Sequence, residues 1–128
     1  MNTHQSEKPL DWVARFAPLV KPGGTVLDLA CGNGRHTHYL ACLGYQVTAV
    51  DRDLSGISET ENAGTIELIG ADLEDGSPWP LGSRKFNGVI VTNYLYRLLF
   101  PAIIDALDDD GVLIYETFSM GNKEYGRP

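Results

Sequence analysis

Cysteine is scarce in this chain, with only Cys31 and Cys42 among 128 residues. Two thiols build no disulfide framework, and their spacing fits no zinc pattern. Long apolar runs are also missing. No stretch approaches the ~20 residues that span a bilayer, and the first residues lack the basic-then-apolar order of a secretory leader. The expected address is therefore cytoplasmic, with no membrane partner. Basic residues are few, 10 Lys and Arg against 17 Asp and Glu for a net charge of −7. They are scattered rather than striped, which argues against a nucleic-acid groove, because affinity for phosphate backbones rests on clustered cations. Internal repeats and low-complexity tracts are absent as well. What is present is 43% hydrophobic residues in a length suited to one domain with one core.

That core is organised around Thr25-Val26-Leu27-Asp28-Leu29-Ala30-Cys31-Gly32-Asn33-Gly34-Arg35. Val26, Leu27 and Leu29 form an almost unbroken branched block, as in a parallel strand covered on both faces. Asp28 is the one charge inside it. A buried carboxylate must find donors, and the backbone amides of the following turn are the nearest candidates. Gly32 and Gly34 permit positive φ and let a ligand approach the main chain, and the helix that follows points its N-terminal amides at that ligand. Cys31 is most simply a small side chain in the turn.

Before this turn, Pro9 suits a first helical position, and Leu10, Val13, Phe16 or Ala17, and Val20 recur at helical spacing. Pro18 disrupts that helix late, and residues Met1 to Lys8 read as loose. After the turn, Arg35 to Leu43 reads as a helix stopped by Gly44, with Thr37, Leu40, Ala41 and Leu43 toward the sheet. Gln46 to Val50 is a second strand that completes a right-handed βαβ unit. Leu54 to Asn62 is a weak helix weakened by Gly56, Thr65 to Ile69 a third strand, and Ser77 to Arg84 a loop. Phe86 to Thr92 is a fourth strand. A helix from Pro101 to about Leu107, a turn at Asp108 to Gly111 and a fifth strand from Val112 to Phe118 follow, then a polar tail.

Strands alternating with helices make an α/β, doubly wound, mostly parallel sheet, and such sheets bind ligands at the carboxyl ends of their strands. Three acidic segments fall there: the Asp28 to Gly34 turn, Asp51 after the second strand, and Asp72-Leu73 after the third. Asp51 stands where an acid grips ribose hydroxyls in nucleotide-binding folds. Asp72 could accept from an exocyclic amino group while Leu73 lies on a purine face. Glu74 and Asp75 read as solvated loop acids. His36 and His38 lack a third metal ligand, and a spacing of two splits them across a helix, so they read as helix-surface histidines and no metal site is expected. Tyr94 or Tyr96 could line the substrate side of the site or sit in the core, and Arg97 could pair with an anionic substrate or a nearby acid.

Val26 to Gly34 resembles the first motif of class I S-adenosylmethionine-dependent methyltransferases, in a D-x-A-C-G-x-G form. Val47 to Asp51, Gly70 to Leu73, Phe86 to Tyr94 and Asp109 to Leu113 are similar, in order, to later segments of that family. The resemblance implies a Rossmann-like core with strand order 3-2-1-4-5 and S-adenosyl-L-methionine as cofactor. In it the Ala30 to Gly34 backbone holds the methionine part, Asp51 the ribose and Asp72 with Leu73 the adenine, with Asp28 near the ammonium group. Arg52 and Asn93 complete the candidate cofactor set, and the catalytic residues are not readable.

Family members normally continue past the fifth strand with a helix and an antiparallel hairpin, which this chain lacks. The expectation is a single domain over residues 1–128 that is incomplete, trimmed, or completed by a partner, including a homo-oligomer through the bare fifth strand. The expected activity is methyl transfer to a small molecule. A nicotinamide-dependent oxidoreductase is disfavoured, because a dinucleotide fingerprint wants a third small residue at Thr37. A non-catalytic binding or assembly module is the other alternative.

Overall fold

The computed structural model describes residues 10–57, 65–92, 94 and 96–116. In chain order the elements are α1 (Asp11–Phe16), β1 (Thr25–Leu29), α2 (Arg35–Cys42), β2 (Gln46–Asp51), β3 (Ile66–Gly70), β4 (Phe86–Thr92), α3 (Phe100–Asp105) and β5 (Leu107–Glu116). The strands form one sheet in the order β3-β2-β1-β4-β5, and every pairing is parallel. This is the expected doubly wound order.

Alternation along the central strands divides the core in two. Val26, Val47, Ile90 and Ile114 face α1 and α2, where they meet Val13, Ala17 and Leu40. Leu27, Leu29, Val89 and Val91 face α3 and the β3–β4 connection, where they meet Ile103 and Leu81. β1 and β4 are almost wholly buried, whereas the edge strand β3 is only half-buried. On that thinly covered face the strands carry polar residues. Arg84 donates to Glu67 at 3.1 Å and to Thr48 Oγ1 at 3.1 Å, an ion pair too exposed to contribute much stability.

Several boundaries differ from those read in the sequence, each for a local reason. α1 ends at Phe16, and a 3₁₀ turn over Ala17–Leu19 accommodates Pro18 near its start, where a missing N–H costs nothing. The Tyr45 hydroxyl, in hydrogen-bond range of the Ala17 and Val20 carbonyls, anchors that turn. Leu43 does not face the sheet. It is the C-cap of α2 and 48% exposed, one residue too late for the buried stripe. Of the proposed Leu54 to Asn62 helix, the described part is a turn, and the remainder lies outside the described residues.

The acidic Asp108 to Gly111 segment is not a free turn before β5 but lies within it. The register jumps from Phe86↔Leu107 to Gly88↔Val112, so the acids bulge out of the ladder, with Asp110 at φ +63°. Phe118, the expected end of that strand, lies outside the described residues. Among the described residues β5 pairs only with β4, leaving its outer edge open.

Gly88 on β4 packs directly under Val20, which follows the 3₁₀ turn. A Cβ there would stand 2.9 Å and 3.1 Å from the Val20 methyl groups, and Val20 is fully buried. Gly88→Ala is expected to destabilise the domain by about 1–3 kcal/mol through overpacking, measured by urea unfolding. An unchanged midpoint would show that Val20 is not pinned.

Candidate functional site

The turn after β1 is built by three successive left-handed residues at alternate positions, Ala30 (φ +58°), Gly32 (φ +60°) and Gly34 (φ +86°). Alanine is strained in that region, which marks Ala30 as held there by its surroundings. Gly34 is required twice over, because a Cβ would also stand 3.0 Å from Ile57 Cγ1. Cys31 N–H donates to the Val50 carbonyl at 3.0 Å, stitching the turn to β2.

Asp51 completes that stitch. Its Oδ2 accepts from Gly32 N–H at 2.8 Å and its Oδ1 from Asp53 N–H at 3.1 Å, while its own carbonyl accepts from Ala71 N–H at 3.0 Å. One residue therefore connects the ends of β1, β2 and β3. Each carboxylate oxygen keeps a second lone pair, so Asp51 can still accept two hydroxyls.

Above this junction lies a cleft of about 300 Å³ lined by Ala30, Asp51, Arg52, Ala71, Asp72, Leu73, Glu74 and Tyr94. Five of the sequence-derived candidates, Ala30, Asp51, Arg52, Asp72 and Leu73, converge here. Asp72 Oδ1 accepts from Glu74 N–H at 2.9 Å, shaping the acidic loop. Glu74 is exposed, as a solvated acid should be, but it also lines the cleft and accepts from the Tyr94 hydroxyl. Burial, that hydrogen bond and the charges of Glu74 and Asp72 raise the Tyr94 phenol above its usual range. Tyr94 both lines the cleft and packs against the core around Leu27 and Val91, its carbonyl accepting from Tyr115 O–H at 3.0 Å.

Gly32 and Gly34 form the turn beside the cleft rather than its walls, and the Cys31 side chain is buried against Ala49 and Ile57. Burial, then the charges of Asp28 and Asp51, push its thiol up to about 12, so it stays protonated. Asn93 lies outside the described residues.

Asp28 sits below the cleft, 1% exposed. The turn amides do not satisfy it, since Gly32 N–H goes to Asp51. Its donor is the Thr37 hydroxyl on α2, 2.6 Å from Oδ2. Burial outweighs this bond, and with the Asp51 charge pushes the Asp28 carboxyl up to about 7. Thr37, fully buried, occupies the position at which a dinucleotide fingerprint wants a small residue for close packing.

His36 is not a surface residue. It is 3% exposed, with Nε2 accepting from Leu10 N–H at 3.1 Å and Nδ1 3.4 Å from Thr92 Oγ1. Helical spacing from Leu40 points it inward, a signal outweighed by its polarity. His38 is half-buried, and its Nδ1 finds no partner among the described residues. Burial, then the Arg35 charge, lowers the His36 imidazole to about 4.

The parallel order, the left-handed turn and the acid-lined cleft define a Rossmann-like domain of the class I S-adenosylmethionine-dependent methyltransferase type. The family model described as "Tellurite resistance protein TehB" matches residues 9–76, more than half of the 128-residue chain. The chain belongs to the TehB family.

Among solved structures, coclaurine N-methyltransferase bound to N-methylheliamine and SAH superposes with a TM-score of 0.67 at 23% identity, over 88% of this chain and 36% of that one. A TehB-like SAM-dependent methyltransferase from Corynebacterium glutamicum superposes with a TM-score of 0.61 at 21% identity, over 85% of this chain and 64% of that one. A curated tRNA/tmRNA (uracil-C(5))-methyltransferase from Neisseria gonorrhoeae is 28% identical over 110 residues, 77% of this chain. The match spans only 30% of that relative's length.

Asp28 and His36 act oppositely on stability. The folded state keeps the Asp28 proton between 3.8 and about 7 while the unfolded chain loses it, so this contribution falls as pH rises through that window. The unfolded chain protonates His36 between 6.5 and about 4 while the folded state does not, so this contribution is lost as pH falls. In the wild type the two slopes offset between about pH 4 and 6.5. Unfolding free energies should rise with pH across that window for Asp28→Asn and fall for His36→Gln. Parallel profiles for all three proteins would refute the pairing.

Proposed function

We propose that this chain is the cofactor-binding part of an S-adenosylmethionine-dependent methyltransferase that acts on a small molecule, and that residues 1–128 are one unit of it. The observation that carries this reading is the convergence of Ala30, Asp51, Asp72 and Leu73, distant in sequence, on one cleft beside the glycine turn. Asp51 would take the ribose hydroxyls, Asp72 and Leu73 the adenine, and the turn from Ala30 through Cys31 and Gly32 to Gly34 the methionine part, with Arg52 and Asn93 at the margins. When bound, the cofactor supplies a methyl group on a cationic sulfur. The chain's task is then to hold that sulfonium in line with an acceptor and away from water, where proximity and orientation dominate.

Family membership, and structurally similar methyltransferases with SAM or SAH bound, support this choice over a nicotinamide oxidoreductase. So does Thr37, committed to Asp28 rather than to close helix–strand packing. Some curated relatives are named as tRNA methyltransferases. The net charge of −7 favours a small acceptor over a phosphate backbone. A cytoplasmic setting fits the two free cysteines, and no helix among the described residues is long and apolar enough to cross a membrane. The open edge of β5 suits pairing with a further segment or a second subunit.

Calorimetry with S-adenosylmethionine, S-adenosylhomocysteine and NAD tests the assignment. Binding of the first two is expected, with Asp51→Asn weakening both by about tenfold or more through lost charge-assisted hydrogen bonds. Binding of NAD alone would reject it, and cofactor binding without any methyl transfer would favour the non-catalytic module.

Asp28 adds a proton signature. An ammonium group near it favours the carboxylate, so affinity should increase as pH rises toward about 7, with proton release on binding. Titrations in buffers of different ionisation enthalpy read this directly, and Asp28→Asn should abolish the release. Release persisting in that variant would exclude Asp28 as its source.

A further inference from the structure

The glycine turn and the acid-lined cleft occupy the ends of β1, β2 and β3. The ends of β4 and β5 carry a second polar group that cofactor binding does not use. Thr92, the last residue of β4, is paired in register with Glu116, the last residue of β5. Strand alternation sets Glu116 on the same face as Ile114, which packs into the α1 and α2 side of the core. Thr92 is on that side too, its hydroxyl facing His36 Nδ1 at 3.4 Å.

Leu10 N–H donates to His36 Nε2, so the imidazole hydrogen sits on Nδ1 and points at the Thr92 oxygen. Thr92 accepts there and keeps its own hydrogen for another partner. Beside it, Glu116 Oε1 is closed to solvent and has no hydrogen-bond partner among the described residues. A buried carboxylate oxygen without a donor is costly. At the carboxyl edge of a doubly wound sheet, where ligands bind, a ligand is the natural source of that donor. Two strand spacings, about 10 Å in all, separate β1 from β5. That is the distance over which a transferable methyl and an acceptor head group would have to fit between the turn and Glu116.

We propose that Glu116, flanked by Thr92, positions the methyl acceptor, and that the acceptor is an amine presenting N–H to Glu116 Oε1. This rests on the methyltransferase reading above. The amine is favoured because the neighbouring cleft carries Asp51, Asp72 and Glu74 against Arg52 alone, a field that attracts a cation. The arriving ammonium gives one proton to bulk water. Its freed lone pair forms the new N–CH₃ bond as the S–CH₃ bond breaks, and the electron pair of the broken bond stays on sulfur. The products are S-adenosylhomocysteine and a methylated ammonium, whose remaining N–H stays on Glu116. Glu116 holds the nitrogen and takes no proton, so it is a positioning residue.

The test uses the whole polypeptide that carries this sequence, loaded with S-adenosylhomocysteine and titrated calorimetrically with n-butylamine and benzylamine, then with n-butanol and benzyl alcohol. The amines should bind in preference to the alcohols. Glu116→Gln should weaken amine binding about tenfold while S-adenosylhomocysteine affinity stays unchanged, with Glu116→Asp recovering part of the loss. In turnover with an amine, Glu116→Gln should raise KM far more than it lowers kcat. Equal binding of amines and alcohols, no amine binding to the loaded protein, or an unaffected Glu116→Gln would overturn the proposal. Loss of both affinities together would mark Glu116 as merely structural and overturn it too. If S-adenosylhomocysteine itself fails to bind, the methyltransferase reading has failed first and this inference falls with it.

Discussion

The hydrogen bond from Gly32 N–H to Asp51 Oδ2 holds the candidate site together. It joins the turn after β1 to the end of β2, and the Asp51 carbonyl extends the connection to Ala71 after β3. Parallel pairing alone brings three strand ends to one edge of a sheet. It does not fix the loops that leave them. A charge-assisted bond from a main-chain amide does so, because an ionised acceptor makes a shorter and stronger bond than a neutral one. The left-handed Ala30 is tolerated within a turn anchored at both Cys31 and Gly32, where the local conformational cost is offset by bonds on either side.

Beneath that junction the fold keeps two buried titratable groups, each neutral for the same reason. Desolvation raises the Asp28 carboxyl and lowers the His36 imidazole, and each has partners on other elements, Thr37 for Asp28 and Leu10 and Thr92 for His36. Both link layers rather than neighbours. Asp28 ties β1 to α2, and His36 ties α2 to the start of α1 and to the end of β4. Polar groups buried in this way favour one arrangement of helices on the sheet, because any slippage would leave a polar atom without a partner.

Much of the architecture was legible in the residues. The apolar block at Val26 to Leu29, the glycines after it and the strand patterns at Gln46, Phe86 and Val112 were enough for a parallel sheet in the order observed. Legibility failed where the deciding contact lies far away in the chain. His36 looks like a surface residue in the sequence because its partner amide, Leu10, and its neighbour, Thr92, are on other elements. The amides nearest Asp28 in sequence are those of the turn, yet the competing acceptor Asp51 claims Gly32. Asp108 to Gly111 has the composition of a turn, and only pairing with β4 shows it to be a bulge.

The amino-acid sequence by itself determined the alternation of strands and helices, the left-handed turn at the glycines and the set of acids at the strand ends. These depend on periodicity and backbone sterics, which act between near neighbours. The tertiary structure decided which acid accepts from which amide, that Tyr94 and Glu74 join the cleft wall, and that Glu116 ends β5 with an oxygen unpaired among the described residues. Such matters are settled by competition between donors and acceptors brought together only when the sheet closes, and no local pattern records who wins.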